Sequence, residues 1–177
     1  MSDDSEDVPV VDYDHFVIEE TDDIKTKLET FMPRLEFEDS HLFIFDIHKT
    51  TTLGRGGGIN ESVLQTIEDL IEDEYQVIFL SYVGTRTGTP ERIQETLSEL
   101  NSEPRYRLIP KFFIKKREKK TFMLSLYELL LPKRIKMTLI DDNPWNIRDV
   151  ESLEDPNFTA VHFRGEIDTE TLLDLIS

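Results

Sequence analysis

At 177 residues, 38% apolar and 32% charged, the chain has the length and composition of one globular domain with room for a sizeable core. It contains no cysteine, which excludes a disulfide framework and any thiolate zinc site. The formal net charge of −17 is unevenly spread: residues 1–40 carry 14 acidic and 3 basic side chains, whereas residues 105–136 carry 11 basic and 2 acidic. The opening Met1–Asp7 stretch is acidic and lacks the apolar segment of a secretory leader. No apolar run reaches the length of a membrane span, because Leu129–Leu131 stops at Pro132. These features predict an intracellular protein, cytoplasmic or nuclear, with no membrane partner.

In chain order, residues 1–20 read as an acidic, flexible arm, with His15–Ile18 a short strand or extended segment, and residues 21–177 as one domain. From Thr21 to Met32, Ile24, Leu28 and Phe31 stand at helical spacing, and Pro33 ends the pattern. His41–Phe45 is a short apolar run ending in Asp46, the pattern of a strand buried on both faces. Gly54–Gly58 is a loop, since glycine at that density is too costly in entropy inside an element. Asn60 caps a helix that puts Val63, Leu64, Ile67, Leu70 and Ile71 on one face.

Gln76–Leu80 is a second buried strand, ending at Ser81, and Thr89-Pro90 opens a helix through Ile93, Leu97 and Leu100. Tyr106–Ile109 and Phe112–Ile114 are candidate strands around Pro110. A helix from Thr121 to Leu131 leads to a strand over Ile135–Ile140, which ends in Asp141-Asp142. A strand over Thr159–Phe163 and a helix over Asp168–Ile176 complete the chain. Strand and helix in alternation predict a Rossmann-like three-layer α/β/α domain with a mainly parallel sheet.

In such a sheet, ligands collect beyond the carboxyl ends of the strands. Three separate apolar strands here end in Asp46, Ser81 and Asp141/Asp142, and a lysine opens the helix before the last pair. Carboxylates delivered from two strands repel one another unless a cation lies between them. Hard oxygen ligands with open positions suit Mg2+. A lysine and a serine beside them are suited to holding phosphoryl oxygens, and an aspartate so placed is a nucleophile towards phosphorus.

The order Asp…Ser…Lys…Asp-Asp resembles the four motifs of the haloacid dehalogenase (HAD-like) phosphatases, over residues 40–165. The first motif stands as Phe43-Ile44-Phe45-Asp46-Ile47-His48-Lys49-Thr50, the second as Val77-Ile78-Phe79-Leu80-Ser81, and the fourth as Leu139-Ile140-Asp141-Asp142 with Asn146 four residues on. The third is a lysine ahead of a helix, best placed at Lys120 with Lys119 and Lys116 as rivals. The resemblance implies that Asp46 attacks phosphorus and that Ser81 and the lysine hold the phosphoryl group. It further implies a Mg2+ held by Asp46, the His48 backbone carbonyl and Asp142, with Asp141 as a second acidic ligand. Thr50 and Asn146 take supporting places around the substrate. A receiver domain uses similar residue types, but there the acidic pair comes first and the lysine last.

One departure concerns proton transfer. The family's second aspartate, the acid that protonates the leaving group, is replaced by His48. Imidazole titrates about two units above a carboxyl, and an anionic phosphate favours its charged form, so an imidazolium is a competent proton donor. The same replacement fits a domain that has lost catalysis and serves as a protein-binding module. Residues 51–76 and 82–115 leave no room for a cap domain, which in this family implies a large substrate, a phosphorylated protein or a nucleic-acid end. The basic stretch 105–136 is suited to steering such an anion.

Overall fold

The computed structural model describes residues 15–19, 23–31, 41–54, 56–115, 118–131 and 133–176. Six strands form where the short apolar runs occur: β1 His15–Ile18, β2 Leu42–Phe45, β3 Gln76–Tyr82, β4 Lys111–Ile114, β5 Met137–Asp141 and β6 Phe158–His162. They pair in the order β1-β4-β3-β2-β5-β6, every pair parallel. Parallel neighbours require crossover connections, and helices supply them: α1 Ile24–Phe31, α2 Glu61–Glu72, α3 Pro90–Asn101, α4 Lys119–Leu130, α5 Pro144–Glu151 and α6 Thr169–Ile176.

Side chains alternate along each strand, so one run of apolar residues serves two cores. Ile44, Ile78, Leu80, Phe112 and Leu139 face α1, α4 and α5 through Leu28, Phe122, Leu126 and Val150. Phe43, Phe45, Phe79, Phe113 and Ile140 face α2, α3 and α6 through Val63, Ile67, Leu97 and Leu172. Burying each such side chain stabilises the fold by about 1.5–3 kcal/mol, which is why β2, buried along its whole length, needs no polar alternation. The result is a three-layer Rossmann-like α/β domain. Among the described residues, no helix is long and apolar enough to cross a membrane.

Caps fix the helix starts as the composition implied. Asn60 Oδ1 accepts from the Ser62 and Val63 backbone N–H groups at 3.0 and 3.2 Å, and Thr89 Oγ1 accepts from Arg92 N at 3.3 Å. Four expectations change. Of the two readings of His15–Ile18 the strand holds: it pairs along its whole length with β4 as the edge strand and so does not belong to a 1–20 arm; residues 1–14 lie outside the described residues. Tyr106–Ile109 is not a strand. Pro104–Tyr106 forms one turn of 3₁₀ helix, capped by the Glu103 carboxylate on Arg105 N, and the Tyr106 ring sets its edge on Phe79. α5 was not anticipated, although Asn143-Pro144 carries both a cap and a first-turn proline. β3 runs past Ser81 to Tyr82.

From β2 the chain steps to β3 and then β4 on one side; it then returns to β5 and β6 on the other. The strand order therefore reverses between β2 and β5, and a crevice opens beyond the carboxyl ends of these two strands. Asp46 follows β2 and Asp141 closes β5.

Candidate active site

Register brings the two strand ends level. Phe45 lies opposite Ile140, and the Asp46 N–H donates to Ile140 O at 2.9 Å, so Asp46 is still held by the sheet as its side chain leaves it. The chain then turns away over Ile47–Thr51, with Lys49 in the left-handed region at φ 62°. Hydroxyls hold the turn. Thr51 Oγ1 donates to Asp46 O at 2.7 Å, Thr52 Oγ1 to Ile47 O at 3.2 Å, and Thr50 Oγ1 to Asp46 Oδ2 at 3.3 Å.

Lys119, on the first turn of α4, reaches across this crevice. Its Nζ lies 2.7 Å from Asp46 Oδ1 and 2.7 Å from Asp141 Oδ2, and its side chain is 2% exposed. Asp141 is further committed to protein donors: Asn146 Nδ2 reaches Oδ2 at 2.9 Å, and Asn143 N reaches Oδ1 at 2.9 Å. Asp142, half-buried, completes a group of three carboxylates with one oxygen each within 4.8 Å of the others.

Three acids against one ammonium leave the site short of positive charge. Burial, with the Asp141 charge beside it, pushes the Asp46 carboxyl up to about 7 despite Lys119. Asp142 is also raised, by burial first. Lys119 stays above its ordinary value, because the two carboxylates outweigh the cost of burying its charge. The donor set is oxygen only, burial makes two of its acids resist ionisation, and Asp142 keeps access to solvent. These are the properties a hard divalent cation such as Mg2+ fits. Asp141 is held by Lys119, Asn143 and Asn146, whereas Asp46 accepts one bond on each oxygen, the Thr50 bond a long one at 3.3 Å, and Asp142 is the most exposed of the three.

The remaining sequence-predicted residues divide. Thr50 and Asn146 are buried in the site and bonded to Asp46 and Asp141, where they position acids more than they face a substrate. The amine in the crevice belongs to Lys119, not to Lys120, which is half-buried and makes no bond to the carboxylates. A helix turns about 100° per residue, so adjacent lysines point apart, and their order in the chain does not say which one faces the sheet. Lys116 lies outside the described residues. Ser81 is buried within β3, not at its end, and its hydroxyl reaches only Tyr82 O at 3.5 Å. No hydrogen bond joins it to the acids.

His48 also differs from expectation. Its ring is half-buried and lies in a cleft along α3, where burial lowers its pKa and works against the charged form. No hydrogen bond ties it to Asp46. Among the described residues of the basic stretch 105–136, several cations are already engaged. Arg105 pairs with Glu68 and Glu103, Lys115 with Glu19, and Lys111 Nζ is buried on the carbonyls of Tyr106 and Ile109 at 2.7 Å each. Two residues outside the expected set contribute: Thr51 holds the Asp46 backbone carbonyl, and Asn143 N holds the Asp141 carboxylate. The Asn-Pro pair after Asp142 was the one legible cue. Trp145 is 62% exposed, with the Arg148 guanidinium over its ring at 5.0 Å, and packs into neither core.

In comparisons with known proteins, no family model matches the chain and no curated protein is significantly similar to it.

Proposed function

We propose that the chain is a Mg2+-dependent phosphomonoesterase of the HAD-like type that works through an aspartyl-phosphate on a phosphorylated macromolecule. One observation carries the reading: carboxylates from two strand ends meet at the reversal of the sheet, with a buried lysine bonded to both. Structural ion pairs seldom take this form, because three acids around one ammonium are costly to desolvate unless a further cation joins them.

In this reading Asp46 Oδ2 attacks phosphorus, the bond from phosphorus to the leaving oxygen breaks, and that oxygen takes a proton from His48 or water. Water then attacks the acyl-phosphate phosphorus, releasing inorganic phosphate and restoring the Asp46 carboxylate. Lys119 holds Asp46 Oδ1 and Thr50 Oγ1 orients Oδ2 for attack, while the charge of Lys119 offsets the phosphoryl oxygens. Asn146 and Asn143 N fix Asp141, which in turn fixes Lys119. A bound Mg2+, held by Asp46, Asp142 and the His48 carbonyl, supplies charge stabilisation at the phosphoryl group.

Turnover of an aryl phosphate with Mg2+ tests the reading, with Asp46→Asn expected to lower it by about a thousandfold or more. Turnover that survives Asp46→Asn excludes Asp46 as the nucleophile. A second reading, a catalytically impaired domain kept as a protein-binding module, is favoured by His48, which offers no carboxyl where the family carries its acid. A gain of activity in His48→Asp supports that reading; a loss supports the working enzyme.

A further inference from the structure

A cleft of about 600 Å³ lies between Gly56 of the glycine loop and the exposed side of α3. His48 lines it, two residues from Asp46 and within electrostatic reach of Lys119 and Asp142, which links the cleft to the crevice. Gly56 forms one wall. The loop is fastened across the cleft by Gly58 N, which donates to Glu99 Oε2 at 2.7 Å, and by the Thr52–Ile59 bridge at its base. The wall is therefore built, and its described charges are mostly acidic. Among the described lining residues, Glu91, Glu95 and Glu99 stand against the single charge of Arg92, which lies 3.5 Å from Glu95.

We propose that this cleft seats the chain flanking the phosphorylated residue of a protein substrate and selects basic side chains there. The inference rests on the phosphatase reading and narrows it to a substrate class. A cavity of this size holds a ligand of a few residues, and an extended peptide covers it at about 3.3 Å per residue. Lysine or arginine beside the phosphoresidue meets the glutamates as its phosphate meets Lys119 and the metal-binding acids. A nucleic acid entering by the same route brings phosphodiesters against Glu91, Glu95 and Glu99. Three cations that could track its backbone are already engaged: Arg105 and Lys115 are paired with acids and Lys111 is buried on backbone carbonyls.

The experiment compares two phosphopeptides of one length, one with lysines flanking the phosphoserine and one with glutamates, together with a 5′-phosphorylated oligonucleotide and an aryl phosphate. Expected is a kcat/KM about fivefold or more higher for the lysine peptide than for the glutamate peptide, the yield of two solvent-exposed charge pairs. In Glu91→Gln/Glu95→Gln that ratio falls towards one, while aryl phosphate turnover stays within about twofold of wild type, both side chains being surface groups. Raising the salt concentration narrows the ratio in the same way. Equal turnover of the two peptides, a ratio indifferent to the double substitution, or a preference for the oligonucleotide overturns the proposal. If the aryl phosphate itself is not hydrolysed, the phosphatase reading falls, and fluorescence anisotropy of the labelled peptides decides the cleft separately. Tighter binding of the lysine peptide, lost in the double variant, sustains an acidic docking cleft, and equal binding removes it.

Discussion

Lys119 Nζ lies 2.7 Å from Asp46 Oδ1 across 73 residues of sequence, with both groups out of solvent. The pair ties the first turn of α4 to the end of β2, and through Asp141 to the end of β5. Chemistry and stability meet at this contact. Removing the ammonium leaves two acids buried without their partner, whereas removing the neighbouring Lys120, bonded to neither acid, leaves both paired.

Lys119→Met is expected to destabilise the protein by about 3 kcal/mol, the cost of breaking a buried pair from one side. Lys120→Met is expected to stay within about 0.5 kcal/mol of wild type, since its side chain holds no buried partner. Urea denaturation of the two variants at neutral pH reads the difference. Equal losses would return the choice between the adjacent lysines to an open question.

Millimolar Mg2+ is expected to raise the melting temperature, with a gain that grows with the logarithm of concentration and reaches about 2.7 kcal/mol at a hundredfold excess over Kd. The gain should vanish in Asp142→Asn, which removes the carboxylate with the most accessible oxygens. It should persist in Asn60→Ala, whose defect lies outside the site. A thermal shift that is the same in Asp142→Asn and wild type means the cation binds elsewhere.

His41 sets a pH dependence at the opposite end of the sheet. Burial first, and then the charge of Lys136, lower its pKa from 6.5 to about 4, and its Nε2 lies 2.6 Å from Thr138 Oγ1. The folded state therefore prefers the neutral ring, while the unfolded chain takes up a proton once pH falls below 6.5. The contribution is fully present above 6.5 and is lost as pH falls towards 4. Denaturation midpoints between pH 7 and 5 should drop less in His41→Gln, which keeps a hydrogen-bonding group and has no titration in that window. A slope unchanged by the substitution assigns the acid sensitivity to other groups.

Asn60 both caps α2 and ties it to the chain near the C-terminal helix, because its Nδ2 donates to Gly165 O at 3.1 Å. Asn60→Ala should therefore cost about 1–2 kcal/mol, at the upper end for a lost cap. Asn60→Ser should recover much of it, since serine keeps the capping oxygen and loses only the bond to Gly165. Urea midpoints for the pair measure both contributions.

The amino-acid pattern determined the layer architecture and the direction of the sheet. Short apolar runs such as Phe43–Phe45 and Val77–Leu80 cannot be solvated on either face, so helices must cover both, and helices between parallel strands follow from that. It also determined that Asp46 and Asp141/Asp142 leave strands at their carboxyl ends, because the change from apolar to acidic residues marks the point where the chain reaches water. Tertiary structure decided what depends on rotation and on register. The facing of Lys119 over Lys120 follows from the phase of α4 on the sheet, and a one-residue difference in a helix is invisible to chain order. The extent of β3, which draws Ser81 inside, follows from pairing with β4, whose Phe113 and Ile114 lie beside Ser81 and Tyr82. The withdrawal of Arg105, Lys111 and Lys115 into pairs and carbonyl contacts depends on partners remote in sequence or on a turn that the pattern did not reveal. Charge counted along a chain is a sum, whereas the field at a site depends on which of those charges already have neighbours.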